Sequence, residues 1–425
     1  MSPRSCGLLL ICVSAALCVT GLIGCNYGPH TTGQVMPGAD DGIGPYYSRY
    51  TGPVRTGKSY QTVEQITFTE QGGDYDPVVS ADGTLLIYSS TAQSVVPDIF
   101  LVHIGAGKSM STRTQLTNTP WAEIQPCFSR DGKSFAYASA RRGCWDICIE
   151  SVANPGHPRC ITEGMKSDQI SPSWHPDGEW IAFSTFNQRS MRWELAMKNH
   201  RTGQLRLLGE GLFPKFSPDG RHIAFQRARD RAPRWFSIFI LDLDEDLNSI
   251  GSPVEVVFSD KWAAINPAWS PDGKYLTFAT VHESPEAQST RRVLMGDDIW
   301  AVNVNGQDLT QLTTSPEPES HPFWANAPDG RNGRIFFCSR QNGPKNIWKL
   351  TPQLPEVYGS VHGTMPGPAP ERAMPLETRE KDADPGKASE PPAVRNPPPA
   401  TPPPTEKTEP AKVPALPPAA TSRPD

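Results

Sequence analysis

The stretch Pro267-Ala-Trp-Ser-Pro-Asp-Gly273, followed by Leu276-Thr-Phe278, decides the fold because its pattern occurs six times along the chain. Each copy places an Asp-Gly turn between two short runs with the alternation of β-strands. Asp can bond its own backbone, and Gly accepts the left-handed conformation that closes a tight hairpin. The turn glycines stand 42 to 57 residues apart, at Gly83, Gly132, Gly178, Gly220, Gly273 and Gly330.

Two more strand patterns complete each unit. A third strand follows the hairpin, as in Asp298-Ile-Trp-Ala301, and a fourth closes several units, as in Gln311-Leu-Thr313. Four strands repeated six times predict an all-β fold, a six-bladed β-propeller of four-stranded blades, because one blade buries its faces only against its neighbours. The sixth unit lacks a fourth strand, and Glu64–Phe68 resembles one. We therefore expect the N-terminal strand to complete the last blade and close the ring.

The two ends of the chain differ from the repeats. Residues 1–24 carry Arg4, an apolar run and the ending Leu22-Ile-Gly-Cys25, which predict a signal peptide cut before Cys25. This ending resembles the bacterial lipobox, which implies a lipid anchor on Cys25; an ordinary signal peptide with an incidental cysteine is the alternative. Residues 25–59 are predicted to be a flexible tether, 60–362 the propeller, and 363–425 a disordered Pro-rich tail, either a spacer or a docking peptide.

The charge balance narrows the class of partner. Forty Lys and Arg residues against 45 Asp and Glu residues give a formal net charge of -5. Nucleic-acid binding needs a concentrated basic face, which this composition does not indicate. We expect no nucleic-acid partner, and we expect the protein to be a monomer.

The repeat also resembles a known family. Pro-x-Trp-Ser-Pro-Asp-Gly, with Ile181-Ala-Phe183 and Asp298-Ile-Trp300 as its later strands, is similar to the WD-like repeats of the TolB propeller, over about residues 64–350. The resemblance implies a non-catalytic platform of the cell envelope that binds a protein or peptide partner, such as a peptidoglycan-associated lipoprotein. TolB has an α/β domain before its propeller, whereas a short tether stands there in this chain. We therefore expect a TolB-like lipoprotein on the periplasmic side of the outer membrane, with surface exposure as the alternative.

The candidate binding site is a ring of residues around the central channel. The innermost strand of each blade lines such a channel, and the residue before each repeat proline is expected near one mouth. Five of these six residues are polar, which predicts a site for a peptide or small ligand, although channel mouths are polar in any propeller. His321 beside Asp76 could add pH sensitivity. The six residues are Asp76, Gln125, Ser171, Phe213, Asn266 and His321.

Catalytic patterns are weak, so we expect no enzyme, no cofactor and no metal. Gly52–Ser59 has the letters of a P-loop without the flanking strand and helix. The alternative is a metal-assisted glycan or peptide lyase or hydrolase in the channel, for which His321 and Asp76 form a thin ligand set. Cys148 and Cys160 flank the turn between the third and fourth strands of the second blade, so a cross-strand disulfide and buried free thiols are both open.

Overall fold

A computed structural model of the protein describes residues 60–104, 113–229, 235–259, 261–283, 294–326 and 333–354. These residues form six antiparallel sheets of four strands each, which confirms the predicted six-bladed propeller. No helix long and apolar enough to cross a membrane occurs among them. The predicted signal peptide, Cys25, the predicted tether and the predicted tail at 363–425 lie outside the described residues.

Each blade takes four consecutive strands, except where the ring closes. The first three blades are β2 (Asp74–Val79), β3 (Leu85–Ser90), β4 (Asp98–His103) and β5 (Thr114–Gln115); β6 (Glu123–Phe128), β7 (Ser134–Ser139), β8 (Asp146–Ser151) and β9 (Arg159–Cys160); and β10 (Gln169–Trp174), β11 (Trp180–Asn187), β12 (Arg192–Asn199) and β13 (Leu205–Glu210). The fourth and fifth are β14 (Leu212–Phe216), β15 (His222–Ala228), β16 (Phe236–Leu243) and β17 (Ser249–Val257); and β18 (Trp262–Trp269), β19 (Tyr275–Glu283), β20 (Leu294–Asn303) and β21 (Thr310–Gln311). The sixth is β22 (Glu319–Ala325), β23 (Arg334–Ser339), β24 (Asn346–Pro352) and β1 (Tyr60–Gln65).

The N-terminal strand closes the ring, as predicted. β1 pairs antiparallel with β24, with Tyr60 opposite Pro352 and Gln65 opposite Trp348. The strand begins and ends earlier than the predicted Glu64–Phe68. Beyond its end, the Ile66 and Thr67 N–H groups donate to the Ile347 carbonyl at 2.8 and 3.3 Å, and the Thr67 hydroxyl accepts the Ile347 N–H at 2.9 Å. Blade six therefore holds both ends of the propeller through backbone hydrogen bonds, which removes an exposed sheet edge.

A repeated hydroxyl contact joins the third and fourth strands. In blades one, two and five, a Thr hydroxyl accepts the N–H of an Ile in the third strand, each time at 2.9 Å. The same hydroxyl donates to the Asp that precedes this Ile; blade six has Asn346 instead. The Asp-Ile and Leu-Thr motifs of the sequence are thus two halves of one buried contact, formed by Thr117, Thr162, Thr313 and Thr67.

The hairpin turns have the geometry that their residues predict. In the first turn Gly83 donates its N–H to the Ser80 carbonyl at 2.9 Å and has φ of 73°, which only glycine adopts without strain. Ser80 donates its hydroxyl to Asp82 at 2.5 Å. The turns at Gly132, Gly220 and Gly273 repeat this pattern. The sixth turn, at Gly330, lies outside the described residues.

The apolar core lies between neighbouring blades. Tyr88 and Phe336, from blades one and six, belong to one buried cluster, and Phe278 and Ile240, from blades five and four, belong to another. Each blade therefore covers the face of the next one, which is the reason that a single repeat could not fold alone.

Candidate functional site

A β-bulge places one residue of every inner strand in the central channel. In the first blade Tyr75 pairs with Ser89 and Val78 pairs with Ile87, so the inner strand has one extra residue. The same one-residue shift occurs in all six blades. Proline has no N–H to give to a ladder, and a bulge is the place in a sheet that tolerates it. The residue before each proline takes φ between 53° and 58°.

The six bulge residues meet around the channel, and we call them the channel ring. They line a cavity of about 50 Å³, and none is more than 9% exposed. A cavity of this size holds only a few water molecules. The ring is therefore a constriction inside the channel. Its members are the six residues expected there from the sequence: Asp76, Gln125, Ser171, Phe213, Asn266 and His321.

Hydrogen bonds join the ring from blade to blade. The Ser171 N–H and hydroxyl both donate to the Gln125 side chain, at 2.9 and 3.0 Å. The Gln125 N–H donates to Ser89 of the preceding blade, whose hydroxyl donates to Asp76 at 3.1 Å. The Asn266 N–H donates to Gln226 in the same manner. Side chains of one blade thus satisfy the backbone that the bulge of the next blade exposes.

The ring also contains buried polar atoms without a partner. Asn266 Oδ1 and both ring nitrogens of His321 make no hydrogen bond among the described residues. His321 Nε2 lies 3.6 Å from Asp76 Oδ1, which brings together the two residues expected to be neighbours but leaves them beyond hydrogen-bond distance. Burial lowers the pKa of His321 to about 4, against the opposing effect of the Asp76 charge. The imidazole is therefore neutral at pH 7, with an acceptor and a donor unused.

A wider cavity lies on the side of the ring that faces the Asp-Gly hairpins, and we call it the funnel. It has a volume of about 440 Å³ and extends along the inner strands to the Asp-Gly hairpins. Aromatic side chains form much of its wall: Phe128, Trp174, Phe216, Trp269, Phe323 and Trp324. A concave space that combines aromatic walls with polar groups is a common form of ligand pocket. The sequence analysis placed the site at the ring and did not identify this funnel.

Lys215 lies where the ring cavity and the funnel meet, because it lines both of them. It follows the repeat proline of blade four, a position at which the other blades have the uncharged residues Val78, Cys127, Ser173, Ala268 and Phe323. Burial lowers the pKa of Lys215, and only Cys127 and Asp76 act in the opposite direction. Comparing the six repeats at this position would have revealed the lysine from the sequence.

The other predicted site residues are cysteines, and they differ in their surroundings. Cys148 and Cys160 lie opposite each other on β8 and β9 and form a disulfide. Cys127 and Cys338 are buried free thiols, and burial raises the pKa of Cys127 to about 11. No cluster of three or more His, Cys, Asp or Glu side chains suited to a metal occurs in the part of the chain that the structure describes. Cys25 lies outside that part.

Together these features define a closed six-bladed propeller with a constricted polar channel. Residues 55–240 match the family model described as the TolB beta propeller domain. The protein thus contains a TolB-like β-propeller, as the repeat motif indicated. The comparison with curated proteins gave no match.

Solved propellers resemble the chain at low sequence identity. A chain assigned as TolB from Agrobacterium tumefaciens has 17% identity and a TM-score of 0.48, with 68% of this chain and 97% of that chain covered. TolB from Acinetobacter baumannii has 16% identity and a TM-score of 0.41, with 68% and 66% covered. An oligogalacturonate lyase in complex with manganese has 15% identity and a TM-score of 0.44, with 73% and 99% covered. One fold hosts different activities, so these likenesses do not indicate a function.

Proposed function

We propose that the protein is a lipid-anchored, non-catalytic scaffold of the cell envelope whose propeller channel binds a protein or peptide partner. The observation that carries this proposal is the channel ring, in which the polar atoms of Asn266 and His321 are buried without a partner. Unpartnered polar groups in a pocket favour a ligand that supplies the missing hydrogen bonds. The TolB-like propeller and the lipobox-like ending at Cys25 support an envelope location on the periplasmic side.

Affinity capture from detergent-solubilised envelopes tests this proposal, with the full chain as bait beside a ring variant. Substitution by alanine would strain the backbone, because the ring residues have positive φ. Asp76→Asn with His321→Asn changes the charge and shape of the ring with a residue that tolerates this conformation. The matched control is Asp308→Asn, which has φ of 54° in blade five and does not line either cavity.

We expect a partner that the wild-type chain and the Asp308→Asn control retain and that the ring variant loses while remaining folded. Equal capture by all three chains would contradict a channel-binding scaffold. Bound metal together with glycan or peptide cleavage, both lost in the ring variant, would instead support the alternative of a channel-based lyase or hydrolase. Labelling of the protein with radioactive palmitate, lost on Cys25→Ala, tests the lipid anchor.

A further inference from the structure

The funnel contains an electrostatic feature that the repeat does not require. Its lining residues include two cations, Lys215 at the narrow end and Arg130 near the hairpins, and no carboxylate. The chain as a whole has a net charge of -5, so this local balance is opposite in sign to the protein. A cavity lined by one sign of charge with apolar walls concentrates ligands of the other sign.

The ammonium of Lys215 has no hydrogen bond or ion pair among the described residues, whereas Arg130 donates to the Pro218 carbonyl at 3.4 Å. The backbone of Lys215 is held in place, since Trp269 donates its indole N–H to the Lys215 carbonyl at 2.8 Å. Asp76 and Cys127 favour the charged form of Lys215 from a distance, but a lysine in a partly desolvated channel that makes no hydrogen bond or close ion pair still opposes folding. The five other blades build the same position with uncharged residues, so packing does not explain the charge.

We propose that Lys215 binds a carboxylate of an acidic peptide segment that enters through the funnel. This inference rests on the proposed function, and it specifies that the partner segment is acidic and that it enters the channel from the funnel. The ring cavity has a volume of only about 50 Å³, whereas the funnel, of about 440 Å³, has room for a few residues of extended chain. Aromatic side chains around the narrow end lower the local dielectric constant, which strengthens a charge-assisted hydrogen bond there. Binding restores the charged form of Lys215 that burial disfavours.

The test compares two peptides on the full chain by isothermal titration calorimetry. The acidic probe is N-acetyl-Ala-Pro-Ala-Pro-Glu with a free carboxyl end, and the neutral probe is the same peptide ending in Gln amide. We expect wild-type protein to bind the acidic probe at least tenfold more tightly. Lys215→Met should reduce this ratio to about one. Lys274→Met, at an exposed lysine that lies outside the funnel lining, should leave the ratio unchanged.

Two further readouts separate ligand binding from a structural role. The acidic probe should raise the pKa of Lys215, measured by NMR of ¹³C-labelled lysine. Lys215→Met should unfold at the same or a higher temperature than wild type, because it removes a partly desolvated charge that makes no hydrogen bond. A loss of stability in this variant, or a ratio near one in the wild type, would overturn the inference. The ratio of peptide affinities and the affinity capture from envelopes are separate measurements. A negative result in either one therefore does not decide the other, and the two proposals can fail independently.

Discussion

Glu319 provides the sharpest test of the packing in blade six. This carboxyl begins the inner strand β22 and is 1% exposed. Its Oε1 accepts the Gln341 side-chain N–H at 2.7 Å, and its Oε2 has no partner among the described residues. Burial raises the pKa of Glu319 to about 8, from an ordinary value of 4.5. The folded protein therefore keeps this proton at pH 7, whereas the unfolded chain does not.

The stability consequence follows from proton linkage. Below pH 4.5 Glu319 is protonated in both states, so it contributes no pH dependence. Between pH 4.5 and about 8 unfolding releases the proton, so rising pH favours the unfolded chain by about 1.4 kcal/mol per pH unit. The full loss above pH 8 has an upper limit of about 5 kcal/mol.

Glu319→Gln should remove this pH dependence. Glutamine keeps the shape and an acceptor for Gln341, and blade three already has the buried Gln169 at the same repeat position. We expect the variant to be more stable than wild type by a few kcal/mol at pH 8.5 and to differ little at pH 4.5. The assay is urea unfolding, followed by tryptophan fluorescence, at half-unit steps between these values.

The matched control is Glu317→Gln, an exposed carboxyl two residues earlier. The control should follow the wild-type curve of unfolding free energy against pH. Other buried acids, such as Asp74 and Glu123, have a raised pKa and add the same slope to every chain. The difference between wild type and variant therefore isolates Glu319, and parallel curves for the two would refute the reasoning.

Three other perturbations have defined outcomes. Burial lowers the pKa of His321 from 6.5 to about 4, so between these pH values the unfolded chain binds an extra proton and the free energy of unfolding falls as pH falls. His321→Asn should remove up to about 3 kcal/mol of this loss in urea unfolding, and an unchanged dependence on pH in this range would contradict the argument. Asn346→Ala removes the acceptor of the buried Thr69 N–H, which donates to Asn346 at 2.8 Å in the wild type. The variant should lose about 2 kcal/mol of stability and melt at a lower temperature, and an unchanged melting temperature would show that ring closure does not depend on this contact. Replacing both Cys148 and Cys160, separated by 12 residues, with Ser should cost about 3 kcal/mol, and no change in denaturation midpoint between oxidised wild type and variant would count against the bridge.

The repeat explains why much of the fold and the ring could be predicted. Residues at one position of a repeat reach the same radius and height in a closed ring, so the residues before the repeat prolines had to meet. Asp76 and His321, 245 positions apart in the chain, were expected to be neighbours because the N-terminal strand closes the sixth blade onto the first. Identifying that strand required only the similarity of Gln65-Ile-Thr67 to the other Leu-Thr endings.

The narrowness of the ring could not be predicted in this way. Proline and the residue before it indicate a break in the ladder, but not that the extra residue adopts positive φ and turns into the channel. The funnel was missed because its wall consists of aromatic residues that the sequence assigns to the core. Trp174 and Trp324 belong to packed clusters and also line the funnel, and no pattern separates these roles.

The sequence by itself determined the six units, the fourth strand of several of them, the closing strand and the set of residues around the channel, because these follow from periodicity and from the local chemistry of Pro, Asp and Gly. Only the tertiary structure decided which polar groups have no partner. Burial of Glu319 and the lowered pKa values of His321 and Lys215 each depend on atoms contributed by several blades. Desolvation of an ionisable group depends on all atoms packed within a few ångströms of it, and residues distant in the chain supply most of those atoms.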